Sequence, residues 1–388
     1  MTKEVTRVQR IDQLGVLLSL VGALALTLLP LIVFKANRIV PGEPRALLDL
    51  LPTAALALYC ALTAAAAIAV FSRRPRIRLL VALVGMAALV VTIAAAASSL
   101  TPAGNRVVRV APGAGFWIVL IALGLLATDA LTRMRLGPVL RVATLAGFLV
   151  VTLAALASGF FDDLSIMREY AVNATRFAHE AQRHLLLALG SLGAAVIVAL
   201  PLGVLCHRQP RLRNAVLGTL NMVQTIPSIA LFGILMAPLA ALAVAFPLLA
   251  ALGVSGIGAA PAAIALFLYS LLPIVGNTVV GLGRVSPAAV DAARGMGLTD
   301  GQVLRQIELP LALPTILTGI RIVLVQNIGM VTIAALIGGG GFGAFVFQGI
   351  GQTAIDLVLL GAIPTVVLAF SASVVLDAVT DLTRRVPR

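Results

Sequence analysis

Apolar residues along this chain come in blocks of about twenty, broken by short polar or basic stretches. Ten blocks stand out, at 14–34, 47–71, 79–100, 115–131, 142–161, 184–206, 215–245, 261–283, 315–337 and 355–380. A helix rises about 1.5 Å per residue, so roughly 20 apolar residues cross the hydrocarbon core of a bilayer. The pattern predicts an all-α polytopic membrane protein with about ten transmembrane helices. The seventh block is long and is interrupted by Pro227, Pro238 and Pro247, so part of it is expected to be re-entrant or interfacial.

The blocks divide the chain near residue 162. Residues 1–161 hold five of them and read as an N-terminal membrane extension. Residues 162–183 are polar, with Ile166, Met167, Tyr170, Phe177 and Ala181 near helical spacing, and predict an amphipathic helix on the outer face. Residues 184–388 carry the other five. The halves show no convincing repeat, so an inverted-repeat transporter is not supported.

Composition sharpens this picture. Of 388 residues, 60% are hydrophobic and 11% charged, against about 45–50% and about 25% in soluble domains. Mean hydropathy is +1.09. Water-soluble enzyme folds are excluded. The net charge of +13 would suggest nucleic acid in a soluble protein, but here the basic residues cluster between apolar blocks and no basic groove interleaves with aromatics. With the N-terminus in the cytoplasm, the inner segments carry nineteen Lys and Arg and the outer segments eight, while Arg321 lies within the ninth helix and is expected to snorkel. This excess predicts both termini inside. The first block lacks a clear small-residue cleavage site and reads as an uncleaved helix rather than a signal peptide.

Little points to catalysis. The two lysines, Lys3 and Lys35, do not follow glycine, so no phosphate-binding loop of the Walker type exists and any ATP must be bound by another subunit. His179, His184 and His207 lack metal-ligand spacing, and no Gly-x-Ser-x-Gly nucleophile motif occurs. Cys60 and Cys206 read as packing residues. Trp117 and Tyr269 are too few for an aromatic cage, and Trp117 reads as an interface anchor. Neither a catalytic residue nor a bound cofactor or metal is expected.

The informative stretch is the inner segment 284–314, RVSPAAVDAARGMGLTDGQVLRQIELPLALP. Ser286 is a good N-cap with Pro287 at the first helical position. Asp291 falls near the start, where the helix dipole favours a carboxylate. Gly297 suits a left-handed stop, and Thr299 with Gln302 forms a capping box. Pro310 and Pro314 are expected to end the segment. Two short helices joined at a glycine follow, with Ala292, Ala293, Met296 and Leu298 as a small apolar face fit for a partner.

Asp291, Ala292, Ala293, Gly297, Ile307, Leu309 and Pro310 match the signature of ATP-binding-cassette importer permeases, departing only in Asp where Glu is usual. The resemblance covers about 184–388 and implies a five-helix permease core whose coupling loop docks on a cytosolic ATPase dimer. It further implies a periplasmic substrate-binding protein, a second permease (identical or a shorter paralogue) and a bacterial inner-membrane location. The stretches HLLLALGSLGAAVIVALPLGVL, TIPSIALFGIL and GIRIVLVQNIGMVTIAALIGGGGFG resemble permeases of osmoprotectant importers, which move glycine betaine, choline or carnitine. The added N-terminal half resembles the YehY-like branch. An importer of amino acids and a gradient-driven carrier are the alternatives; the latter would want mid-bilayer carboxylates, which are lacking.

Within the core helices, Asn221, Gln224, Asn277, Gln326 and Asn327 either line the translocation path or hydrogen-bond between helices. The outer run Gly338 to Gly343 reads as a tight turn that could also meet the delivering binding protein.

Overall fold

A computed structural model describes residues 12–37, 40–102, 104–105 and 107–384. They fall into two compact units, one within Met1–Gly137 and Ala146–Val172, the other within Pro138–Leu145 and Asn173–Arg388.

In the first unit, α1 (Gln13–Leu28), α2 (Pro52–Phe71), α3 (Pro75–Leu100) and α4 (Ala114–Met134) pack against one another. Proline opens both α2 and α3, where its missing N–H costs nothing. The core is rich in alanine, with Ala55, Ala65, Ala96 and Ala97 buried among Leu58, Leu89 and Ile93. Small residues let helices approach closely where lipid supplies no hydrophobic drive. Gly15 shows how close: a β-carbon there would lie 2.1 Å from the Ala69 carbonyl oxygen.

Three short strands, absent from the all-helical expectation, join the helix connections. β1 (Ile32–Lys35) pairs antiparallel with β2 (Glu43–Arg45) on one side and β3 (Arg109–Pro112) on the other. Runs this short carry no readable alternation, and β3 comes from a connection far away in sequence.

α5 (Pro138–Ala157) follows, then α6 (Ser165–Arg208), whose backbone leaves helical geometry at Asn173 and then resumes. The kink at Asn173 divides the polar stretch 162–183: a first helical segment ends there, and the helix that follows carries the rest of the stretch on into the apolar block. The seventh block is two helices, α7 (Pro210–Thr225) and α8 (Ser228–Ala245). Ile226 stands before Pro227 and takes the extended conformation that proline imposes on its predecessor, which breaks the helix there. Pro238 sits inside α8, and Pro247 opens a single turn, Pro247–Ala251.

α9 (Ala259–Gly283), α11 (Leu309–Ala334) and α13 (Ile355–Arg384) pack in that order and enclose Ala262, Leu266, Ile274, Val323, Ile328 and Val331. Gly319 brings α11 onto α9, since a β-carbon there would lie 2.9 Å from the Pro273 carbonyl oxygen. Two short helices lie between them, α10 (Pro287–Gly295) after α9 and α12 (Gly343–Gly351) after α11. Nine helices among the described residues are long and apolar enough to cross a membrane, and α1, at 16 residues, is the shorter tenth.

Candidate functional site: a capped loop at one end of the permease core

α10 ends in a complete Schellman turn. Gly297 takes φ +86°, its N–H donates to the Arg294 carbonyl at 2.9 Å, and the Leu298 N–H donates to the Ala293 carbonyl at 3.2 Å. Two carbonyls otherwise orphaned at the helix end are satisfied, and the chain reverses within two residues. Thr299 follows at once, and its N–H and hydroxyl both donate to Gln302 Oε1, at 2.8 and 3.0 Å.

Several details differ from the expected loop. Ser286 occupies the N-cap position but makes no capping bond through its side chain. Asp291 is the fifth residue of α10, beyond the first turn where the dipole acts most strongly. The second short helix does not stop at the prolines: Asp300–Ile337 is one 38-residue helix. It includes a π turn at Leu304–Glu308, closed by the Leu309 N–H on the Leu304 carbonyl. That wide turn directly precedes Pro310, whose ring and missing N–H would strain a regular turn, and so the helix passes through. The loop is therefore rigidly continuous with α11.

The apolar face is also divided. Ala293 is buried and Leu298 half-buried, while Ala292 and Asp291 face outward beside Met296, which is 72% exposed. Val303 is buried, Ile307 is half-buried, and Leu309 packs against Leu282, Ala312 and Ile316. The signature residues split into an inner set that anchors the loop and an outer set that stays free. Arg208 at the end of α6 donates to the Asp300 carbonyl at 3.4 Å and lies 3.9 Å from Glu308, and Arg294 pairs with Asp300 at 3.1 Å. A cleft of about 300 Å³ opens beside the loop, lined by His207, Leu282, Pro287, Asp291, Arg294 and Glu308.

The five polar residues of the core helices are not brought together. Asn221 is exposed on α7. Gln224 donates to the Tyr269 carbonyl at 2.8 Å, and the Tyr269 hydroxyl donates back to the Ile226 carbonyl, so this pair clamps the α7–α8 break onto α9. Asn277 donates to the Pro273 carbonyl of its own helix at 2.8 Å, and Gln326 reaches only the Met330 sulfur at 3.6 Å. Asn327 is fully buried and donates to Ser270 Oγ at 3.1 Å, across the α9–α11 contact. Arg321 pairs with Asp377.

At the opposite end of this unit, the glycine run is strapped to α6 by residues that the sequence does not pair with it. The Gly341 N–H donates to Glu180 Oε2 at 2.7 Å, and the Phe342 N–H donates to His184 Nδ1 at 3.3 Å. Phe177 packs its ring 5.3 Å from that of Phe342, and Arg176 donates to Gln348 at 2.6 Å. The stripe Arg176, Glu180, His184, four residues apart on one helix face, was the available signal. Glycine is required here because Gly340 and Gly341 have φ of +79° and +81°. A charged acceptor facing a buried N–H contributes about 1.5–3 kcal/mol. Glu180→Ala should therefore speed hydrogen exchange of the Gly341 amide by about tenfold or more, with Glu180→Gln retaining most of the protection. Equal exchange in the alanine variant and the parent would show that the carboxylate does not hold the turn.

These features define a polytopic helical membrane protein with a capped loop built as a rigid extension of a core helix. Residues 195–385 match the family described as binding-protein-dependent transport system inner membrane component, and residues 12–167 match the N-terminal domain of the ABC transporter permease YehY. The chain is 44% identical over 197 residues to the osmoprotectant import permease protein OsmW of Salmonella typhimurium, covering 51% of this chain and 86% of that one. It is 36% identical over 213 residues to the glycine betaine/carnitine/choline transport system permease protein OpuCB of Bacillus subtilis, covering 55% and 89%. An inward-facing structure of the MetNI methionine ABC transporter covers 54% of this chain and 96% of its own, at TM-score 0.48 and 21% identity. The chain belongs to the family of ABC importer permeases. It is a multi-pass inner-membrane subunit that works with a separate ATPase and a substrate-binding protein, and it is not itself an enzyme.

Proposed function

We propose that this chain forms half of the translocation path of an importer for small quaternary-ammonium osmoprotectants such as glycine betaine, choline or carnitine. The observation that carries this is the similarity of its core to OsmW and OpuCB over nearly their whole length. A second permease, identical or a shorter paralogue, completes the path, and both termini face the cytoplasm. Residues 184–388 act as the permease core, residues 1–161 as a membrane extension and residues 162–183 as the outer segment between them. The loop from Ser286 to Pro310 transmits closure of the ATPase dimer, with Asp291, Ala292 and Met296 as the docking face. Ala293, Ile307 and Leu309 brace the loop from within, and Gly297 sets its angle. Asn221, Gln224, Asn277, Gln326 and Asn327 serve the path, the last by fixing the α9–α11 contact.

The test is ATP hydrolysis by the full complex in proteoliposomes, with glycine betaine supplied to its binding protein. Stimulated hydrolysis, together with uptake that choline or carnitine compete for, supports the reading. Uptake displaced by amino acids instead would move the substrate assignment. Failure to bind any ATPase would overturn the coupling role of the loop.

A further inference from the structure

Two arginines from different parts of the chain share one aspartate. Arg141, in the first turn of α5, donates to Asp377 Oδ2 at 2.6 Å and also to Asp381 one turn further along α13. Arg321 of α11 takes the other oxygen of Asp377. Arg384 stands 4.0 Å from Asp381. The four central side chains are 29–40% exposed, which leaves them less screened than fully solvated pairs.

Arg141, within Pro138–Leu145, belongs to the same compact unit as α11 and α13. Arg321, for its part, rides on the helix that runs unbroken from Asp300 to Ile337 and so continues the coupling loop. Any shift of the loop along that rod moves Arg321 relative to Asp377. One carboxylate between two arginines has discrete arrangements, shared or held by one partner alone. An element of that kind is what can bias a conformational equilibrium.

We infer that Arg141 is a positioning residue that sets the resting state of the coupling helix. It holds α13 by Asp377 and Asp381, keeps Asp377 shared with Arg321, and so restrains α11 until the ATPase closes. The inference rests on the importer assignment above. Failure of that assignment would appear separately, as absence of stimulated hydrolysis in the unmodified complex.

The experiment compares basal and substrate-stimulated ATP hydrolysis of the full complex in proteoliposomes. Arg141→Gln should raise basal hydrolysis roughly fivefold or more, the lower range of typical coupling between sites. The KM for ATP should stay as it was. Asp377→Asn removes the shared carboxylate itself and should act in the same direction, which keeps the test decisive if Arg141→Gln fails to insert. Arg141→Lys, which keeps the charge beside Asp377 and Asp381, should retain most of the parent ratio of stimulated to basal hydrolysis. An unchanged ratio in either single variant, or a lower melting temperature with the ratio unchanged, would overturn the inference and leave a packing contact only.

Discussion

Gly297→Val is expected to uncouple the permease from its ATPase while leaving it inserted in the membrane. The reason is backbone conformation rather than space. A β-carbon at Gly297 would meet nothing within 4 Å, but φ of +86° is closed to a β-branched residue. Holding a non-glycine residue there costs about 1–3 kcal/mol, so the turn should open instead. The bonds to the Arg294 and Ala293 carbonyls would then be lost, and the angle between α10 and the rod of α11 with them. Asp291, Ala292 and Met296 would no longer be presented together. Co-purification of the ATPase and substrate-stimulated hydrolysis should both fall, and Gly297→Asn, which tolerates the left-handed region, should retain much of each. Full uptake by the valine variant would refute this account of the loop.

The second large effect belongs to the N-terminal unit. Arg78 of α3 is fully buried and pairs with Asp12 at 3.2 Å and Asp129 at 2.9 Å, while also donating to the Ala69 carbonyl at 2.8 Å. Arg133 pairs with the same two carboxylates, at 2.7 and 2.9 Å. Removing one partner of a buried pair typically costs about 3–5 kcal/mol where the remaining charge is left uncompensated, and Arg133 still offsets part of that charge here. Arg78→Ala should therefore lower the melting temperature of the purified protein markedly. Removing Arg78 and Asp129 together should cost less than the sum of the two single changes, and strict additivity would show that the pair carries no coupling.

Asp12 gives this cluster a pH dependence. Burial alone would raise its pKa, but the Gly15 N–H, a hydrogen bond from Arg133 and the charges of Arg78 and Arg133 together hold it below its ordinary 3.8. A carboxyl depressed on folding adds stability that is complete above its unfolded pKa and is lost as pH falls through the folded one. Its contribution should be constant across neutral pH and decline only below about pH 4, with Asp12→Asn removing that acid limb from a melting-temperature profile.

Sequence legibility tracked the range of the interactions involved. The apolar blocks, Pro287 at the first position of α10, the Gly297 stop and the Thr299–Gln302 pairing are all local, and each could be read from a few neighbouring residues. Arg78 reads from the sequence as one more basic residue between two apolar blocks, because nothing near it shows that Asp12 and Asp129 surround it. Glu180 reads as a polar residue of an amphipathic helix and His184 as a lone histidine opening an apolar block, because their partners, the N–H groups of Gly341 and Phe342, lie about 160 residues away.

The sequence by itself determined a helical membrane protein, the break at Pro227 and the importer signature in the inner loop, because bilayer thickness, proline geometry and capping act over a few turns of chain. Only the tertiary structure decided which signature residues face outward, that the loop and α11 form one rod through Pro310, and that Arg141 and Arg321 share Asp377. Those outcomes depend on which helices meet, and thus on packing and on long-range charge pairing.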